Sequence, residues 1–338
     1  MAKIIAPVRF IATALTLAFA LMIAAPANAQ QPTSVNPTAQ AVKEEQLLQQ
    51  LRRLDGRVTI PDQRAGTLIQ PAGRDWRQFH QQTLHWIGGI AIVGMFLLLV
   101  IFYAVRGTVK MSRGRSGRTI TRFTPFERFV HWLTASTFII LALSGLNITF
   151  GKTLLIPLIG PEAFAALSQW GKYFHNYLSF PFALGLIFIF LIWIRDNIPG
   201  RIDWEWLRRG GGIVGDDHPP APRFNAGQKG IFWIVVLGGT AVAISGYYLM
   251  FPFYAAGISG MQLAAIIHGV VGVLLIAVML AHIYIGTLGM EGAFEAMSTG
   301  EVDLHWAEEH HSLWVEEEME RSGVAHRDSH SRHAAARS

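Results

Sequence analysis

Five stretches of the chain are long and apolar enough to cross about 30 Å of hydrocarbon as helices, a thickness that takes roughly 20 residues. They cover residues 86–105, 129–151, 176–194, 231–251 and 262–290. Backbone groups in lipid must be satisfied within their own element, and an alternating strand pattern is absent, so each stretch predicts a helix. The fold class expected is an all-α membrane protein: a four-helix core over 129–290 with one extra transmembrane helix, 86–105, before it.

Residues 1–29 have the plan of a secretory signal peptide. Lys3 and Arg9 form a basic start, an apolar stretch follows, and Ala27-Asn28-Ala29 is a small-x-small cleavage site. A polar periplasmic segment, 30–85, comes next, with a short amphipathic helix expected over 41–53. The loops then alternate in charge. Seven Lys or Arg residues lie between 106 and 128 and six between 195 and 229, whereas the intervening loop holds only Lys152 and Lys172 and the last holds none. Basic loops stay on the cytoplasmic side. The expected topology has an external mature N-terminus, a basic cytoplasmic loop at 106–128 and a solvated cytoplasmic tail at 291–338, all in the bacterial inner membrane.

Composition narrows the chemistry. Of 338 residues 51% are hydrophobic and 15% charged, against about 25% charged in a soluble protein. The net charge of +5 sits beside the apolar runs, where the bilayer accounts for it and nucleic acid does not. With no cysteine, the chain cannot hold a thiolate-ligated iron–sulfur cluster, a c-type haem, a cysteine zinc site or a disulfide. Metal or redox chemistry falls to histidine.

Four of the 13 histidines lie within or at the ends of apolar spans: His131, His175, His268 and His282. His268 and His282 are 14 residues apart, which in a helix means roughly 21 Å along the axis but only about 40° around it. They share one face, near opposite membrane surfaces. By topology His131 matches the depth of His282 on the cytoplasmic side, and His175 that of His268 on the periplasmic side. Two imidazoles facing across a gap suit the axial positions of a b-type haem, whose porphyrin supplies the other four nitrogens. Zinc or copper would need further ligands, and no Asp, Glu or Cys lies in the middle of any span, so two haem b groups are the economical reading. A proton relay through the same histidines fails on their separation. Gly145, Gly185, Gly238, Gly239, Gly246, Gly269 and Gly272 could admit a flat macrocycle or simply pack helices closely. Arg122 and Arg128 could pair with haem propionates or only set orientation. His80 and His85 are read as interfacial, and the histidines from His305 onward as part of the solvated tail. No nucleophile constellation, phosphate loop or molybdenum ligand is present, so no catalytic residue is expected.

The motifs RFTPFERFVHW (122–132), NIP (197–199), RFNAGQKGIFW (223–233), IIHGVVG (266–272), LAHIYIGTLG (280–289) and HWAEEHHSLW (305–314) resemble the cytochrome b (gamma) subunit of respiratory membrane-bound formate dehydrogenase. The resemblance covers about 122–318. It implies His131, His175, His268 and His282 as haem ligands, and a quinone site at Asn225, Gly227, Gln228 and His282. It also implies a catalytic alpha subunit with molybdenum or tungsten, an iron–sulfur beta subunit as electron donor, and the quinone pool (menaquinone or ubiquinone) as acceptor. Formate oxidation would occur in the partner. Similar cytochromes serve nickel–iron hydrogenases and thiosulfate-type reductases, which is the alternative. The segment before 122, with its extra helix, lies outside the resemblance.

Overall fold

The computed structural model describes residues 73–212, 218–252 and 254–322. The signal peptide, the helix expected at 41–53 and the last tail histidines, His326, His330 and His333, lie outside them. Among the described residues five helices are long and apolar enough to cross a membrane. They are α2 (Leu84–Arg106), α3 (Pro125–Leu154), α4 (Ile156–Trp193), α6 (Ala226–Met250) and α7 (Ile258–Tyr284), and the protein is a helical membrane bundle.

Two compact units are distinguished among the described residues: 73–85 with Asn147–Lys172, and Trp86–Leu146 with the described residues of 173–322. In the first, α1 (Gly73–Gln78) runs through a π-helical turn, Phe79–Thr83, into α2. The His85 ring meets Phe150 edge-on at 5.1 Å, and Asn147 Nδ2 donates to Ser168 Oγ at 3.0 Å. Helix also occupies what the hydropathy pattern assigned to an external loop. Residues 152–175 carry α3 to Leu154 and the first turns of α4, broken at Gly160 (φ 79°). Pro161 suits the first turn after that break, and AFAALSQW beyond it consists mostly of good helix formers. Hydropathy marks where lipid contact stops; the hydrogen-bond ladder continues past it.

The second unit holds the core helices and a folded cap at one end. α5 (Arg201–Arg208) precedes α6. After α7 come a π-helical turn, α8 (Glu295–Ser298), and then α9 (Leu304–His310) and α10 (Ser312–Arg321). A two-stranded antiparallel ribbon joins β1 (Thr119–Thr121) to β2 (Glu301–Asp303), with Ile120 opposite Val302. The expected solvated tail is therefore corrected: over 291–322 it folds against the loop 107–124. Trp306 and Trp314 are only 3% and 4% exposed, and they share a core with Phe123, Val130, Trp193 and Phe224. Each such side chain contributes roughly 1.5–3 kcal/mol by leaving water, which is enough to hold a short polar segment down.

Carboxylates complete the cap. Glu309 accepts from Ser112 N, Ser112 Oγ and Arg113 N, the shortest at 2.6 Å. Asp303 accepts from Ser116 N, Gly117 N and His305 N. Burial pushes both carboxyls up, but these hydrogen bonds outweigh it and hold them below their ordinary values. Burial, and then neighbouring His218, pulls His310 down to about 4, and burial with the Arg122 charge puts His311 well below its ordinary value. All four shifts have the same sign in linkage: the unfolded cap binds more protons. The histidine contribution is complete above pH 6.5 and is lost as pH falls toward about 4, where the carboxylates begin to follow. Cleavage of 304–321 by a protease in the solubilised protein is expected to rise across that window; a flat profile would overturn the assignment.

Candidate functional site

All four histidines of the sequence analysis lie in the second unit, and the structure brings them together as two pairs. His131, on the second turn of α3, faces His282 near the end of α7, with ring centres 6.3 Å apart. His175, in the middle of α4, faces His268 on α7 at 5.9 Å. These are the two pairs that depth along the helices predicts.

The geometry suits a metal held between two imidazoles. A histidine nitrogen bonds a metal at about 2.0–2.1 Å, which places the ring centre about 3.2 Å away and two opposed rings about 6.3 Å apart. The hydrogen bonds of the second pair agree. His268 Nδ1 donates to Val242 O at 2.9 Å, and His175 Nδ1 lies 2.9 Å from Ser144 Oγ. A ligating histidine usually has its other nitrogen engaged in this way; these are the partners that sequence alone could not name. His131 differs, because its Nδ1 is buried with no hydrogen-bond partner. Among the described residues no group of three or more His, Cys, Asp or Glu side chains is arranged to hold a metal ion. A group that brings its own equatorial nitrogens is therefore the one these residues fit.

The glycines divide by what they touch. A Cβ on Gly145 or Gly246 would meet the ring of His175 or His268, whereas on Gly238 and Gly239 it would meet Leu275 and Leu186 of neighbouring helices. The first two seat imidazoles, and the others pack helices.

Asn225, Gly227 and Gln228 open α6. Asn225 Oδ1 accepts from Gln228 N at 3.0 Å and Gln228 Oε1 accepts from Asn225 N at 3.1 Å, a reciprocal cap of the helix N-terminus. Lys229 is buried rather than interfacial: its Nζ donates to Asp203 at 2.9 Å and to Ile198 O at 3.1 Å. Gly227 lies under the Trp206 ring.

Arg122 is neither a free anchor nor an orientation charge. It is 3% exposed, with the guanidinium over the rings of Phe123, Trp306 and Trp314 at 5.1–5.5 Å. Its Nη2 donates to Arg223 O at 2.7 Å and to His311 Nε2 at 3.0 Å, while His311 Nδ1 donates to Pro222 O at 2.9 Å. Burial, then the like charge of Arg223, lowers this guanidinium to about 9. Arg223 in turn reaches Glu127 at 2.7 Å and Asp196 at 2.9 Å. This hub, whose members Trp306, His311 and Trp314 the sequence analysis left in the solvated tail, fixes the backbone entering α6. The only signal for it was HWAEEHHSLW, apolar at intervals inside a charged segment. Arg128 also turns to the cap, donating to Ser298 O at 2.8 Å.

Comparison with known proteins places this arrangement. Residues 122–300, which contain all four paired histidines, match the family described as prokaryotic cytochrome b561. The chain is 30% identical over 203 residues to the formate dehydrogenase cytochrome b556(fdo) subunit of Escherichia coli K12, covering 59% of this chain and 93% of that one. It is 27% identical over 205 residues to the nitrate-inducible formate dehydrogenase cytochrome b556(Fdn) subunit of the same strain, covering 59% and 92%. Shigella flexneri has a relative of the same name and identity. The helical bundle, the opposed histidines and a match over more than half the chain agree: the chain belongs to the prokaryotic cytochrome b561 family, as a haem b membrane cytochrome of the type found in formate dehydrogenase.

Proposed function

We propose that this protein is the di-haem electron-transfer subunit of a formate dehydrogenase complex, with His131 and His282 as the axial ligands of one haem b and His175 and His268 as those of the other. The observation that carries the reading is the pair of opposed imidazoles at each of two depths on a single helix, α7. When bound, haem b supplies one-electron redox chemistry. The subunit takes electrons from an iron–sulfur beta subunit, itself fed by a molybdenum- or tungsten-containing alpha subunit, and delivers them to menaquinone or ubiquinone.

The chain's own residues do the positioning. Val242 O and Ser144 Oγ accept from the Nδ1 groups of His268 and His175, leaving each Nε2 lone pair for a metal. Asn225, Gly227 and Gln228 at the start of α6, together with His282, are assigned to the quinone site. The positive end of the α6 dipole there favours negative charge building on a quinone oxygen. In this reading the basic loops and the cap face the cytoplasm, where protons for quinone are taken up, and the mature N-terminus is periplasmic. The boundaries follow the sequence analysis, with 129–290 as the di-haem core and 86–105 an added helix, in the inner membrane.

The test is a reduced-minus-oxidised optical spectrum of membranes carrying the complex, with formate as sole reductant and hydrogen in parallel. Formate-dependent b-haem bands are expected. Bands obtained only with hydrogen would move the donor to a nickel–iron hydrogenase, bands only with dithionite would point to another oxidoreductase such as a thiosulfate-type reductase, and no b-haem band with any reductant would refute the haem reading.

A further inference from the structure

We propose that Ser144-Gly145 and Ser245-Gly246 are matched cradles that fix the orientation and protonated nitrogen of His175 and His268, and so tune the potential of the haem held between them. The inference rests on the ligand assignment proposed above. Both cradles are an apolar residue followed by Ser-Gly, Leu143-Ser144-Gly145 on α3 and Ile244-Ser245-Gly246 on α6, and each faces one ring of the pair.

Both serines are committed in the same way. Ser144 Oγ donates to Ile140 O at 2.7 Å, and Ser245 Oγ to Ala241 O at 2.6 Å. A hydroxyl has a single proton, so the oxygen each serine turns to the imidazole can only accept. His175 Nδ1 meets Ser144 Oγ at 2.9 Å; His268 Nδ1 meets Ser245 Oγ at 3.3 Å and Val242 O at 2.9 Å. Both rings must therefore carry the proton on Nδ1, with Nε2 left for iron. The glycines supply the seat. An added Cβ would stand 3.5 Å from His175 Cε1 at Gly145, and 3.0 Å from His268 Cε1 at Gly246. The first is ordinary contact and the second forces the ring to move. The other pair lacks a matching device at His131, whose Nδ1 has no partner.

An acceptor on Nδ1–H makes the opposite nitrogen a stronger donor, which favours ferric over ferrous iron and lowers the potential. Ser144 and Ser245 are positioning residues, and their loss acts on one haem only. The experiment is a redox titration of the purified complex followed in the b bands, with low-temperature EPR, for the wild type, Ser144→Ala, Ser144→Thr, Ser245→Ala and Gly246→Ala. Ser144→Ala is expected to keep both haems and to raise one midpoint by up to tenfold in the reduction equilibrium, about 59 mV for one electron. Ser245→Ala shifts the same haem in the same direction. Ser144→Thr restores the wild-type value, and Gly246→Ala alters the EPR signal of that haem. Loss of that one haem in Ser144→Ala with recovery in Ser144→Thr is the same result in stronger form. Two haems with unmoved midpoints and EPR in both alanine variants would overturn the cradle. Haem content unchanged in His268→Ala would instead overturn the ligand assignment and the cradle with it.

Discussion

Replacing His268 by alanine is expected to lower bound haem by about half, leaving one low-spin centre in a folded protein. The remaining imidazole of that pair, His175, holds iron from one side only, and second-shell changes alone cost 10–100-fold in metal affinity in typical sites, so removal of the ligand itself costs more. His175→Ala must reproduce the result because the two rings face one another at 5.9 Å. His282→Ala and His131→Ala are expected to remove the other haem, with His282→Ala also abolishing quinone reduction, as its proposed role in the quinone site requires. The measurement is haem per protein by pyridine haemochrome, with EPR to say which low-spin signal is lost. Two low-spin haems retained in any of these variants, or the same signal lost from His268→Ala and His282→Ala, would refute the pairing.

Arg122→Ala is expected to release the cap. It removes the donor to Arg223 O and to His311 Nε2 in a dry pocket and empties the space among three aromatic rings. Each buried acceptor left unpaired costs about 1–3 kcal/mol, so a total on the order of 3 kcal/mol is expected, with loss of the desolvated charge offsetting part of it. Lysine keeps the charge but has no planar guanidinium to lie flat on the three rings, so Arg122→Lys is expected to recover little. Thermal unfolding of the solubilised complex and tryptophan fluorescence from Trp306 and Trp314 read the effect. Wild-type unfolding and fluorescence in Arg122→Ala would show that the apolar core holds the cap without it. Because the hub fixes Arg223 and Pro222, just ahead of Asn225, the variant is also expected to raise KM for quinone more than it changes haem content.

The added helix is anchored at the end of α7. Phe102 and Tyr103 of α2 meet Tyr284 edge-on at 6.2 and 6.4 Å, and Val109 N donates to Gly289 O at 2.9 Å just past α7. The segment outside the family match is thus tied to the helix that carries two of the four paired histidines.

The sequence by itself determined the five spans, the absence of cysteine chemistry and the two-pair arrangement of the histidines. Length and hydropathy decide whether a segment can cross lipid, and helical periodicity decides which residues share a face, so His268 and His282 had to lie at opposite depths of one side of α7. What needed the tertiary structure was every feature made by residues distant in the chain. Nothing local shows that His311 would meet Arg122, 189 residues away, or that Glu309 would cap the backbone at Ser112. Composition made 291–322 look solvated because its charges are numerous; most of them do stay at the surface, while Trp306 and Trp314 bury beneath them and Asp303 and Glu309 are buried because the backbone of the basic loop donates to them. The same holds within the bilayer. The positions of Ser144 and Gly145 are legible on α3, but the ring they seat belongs to α4, and only helix packing could bring the two together.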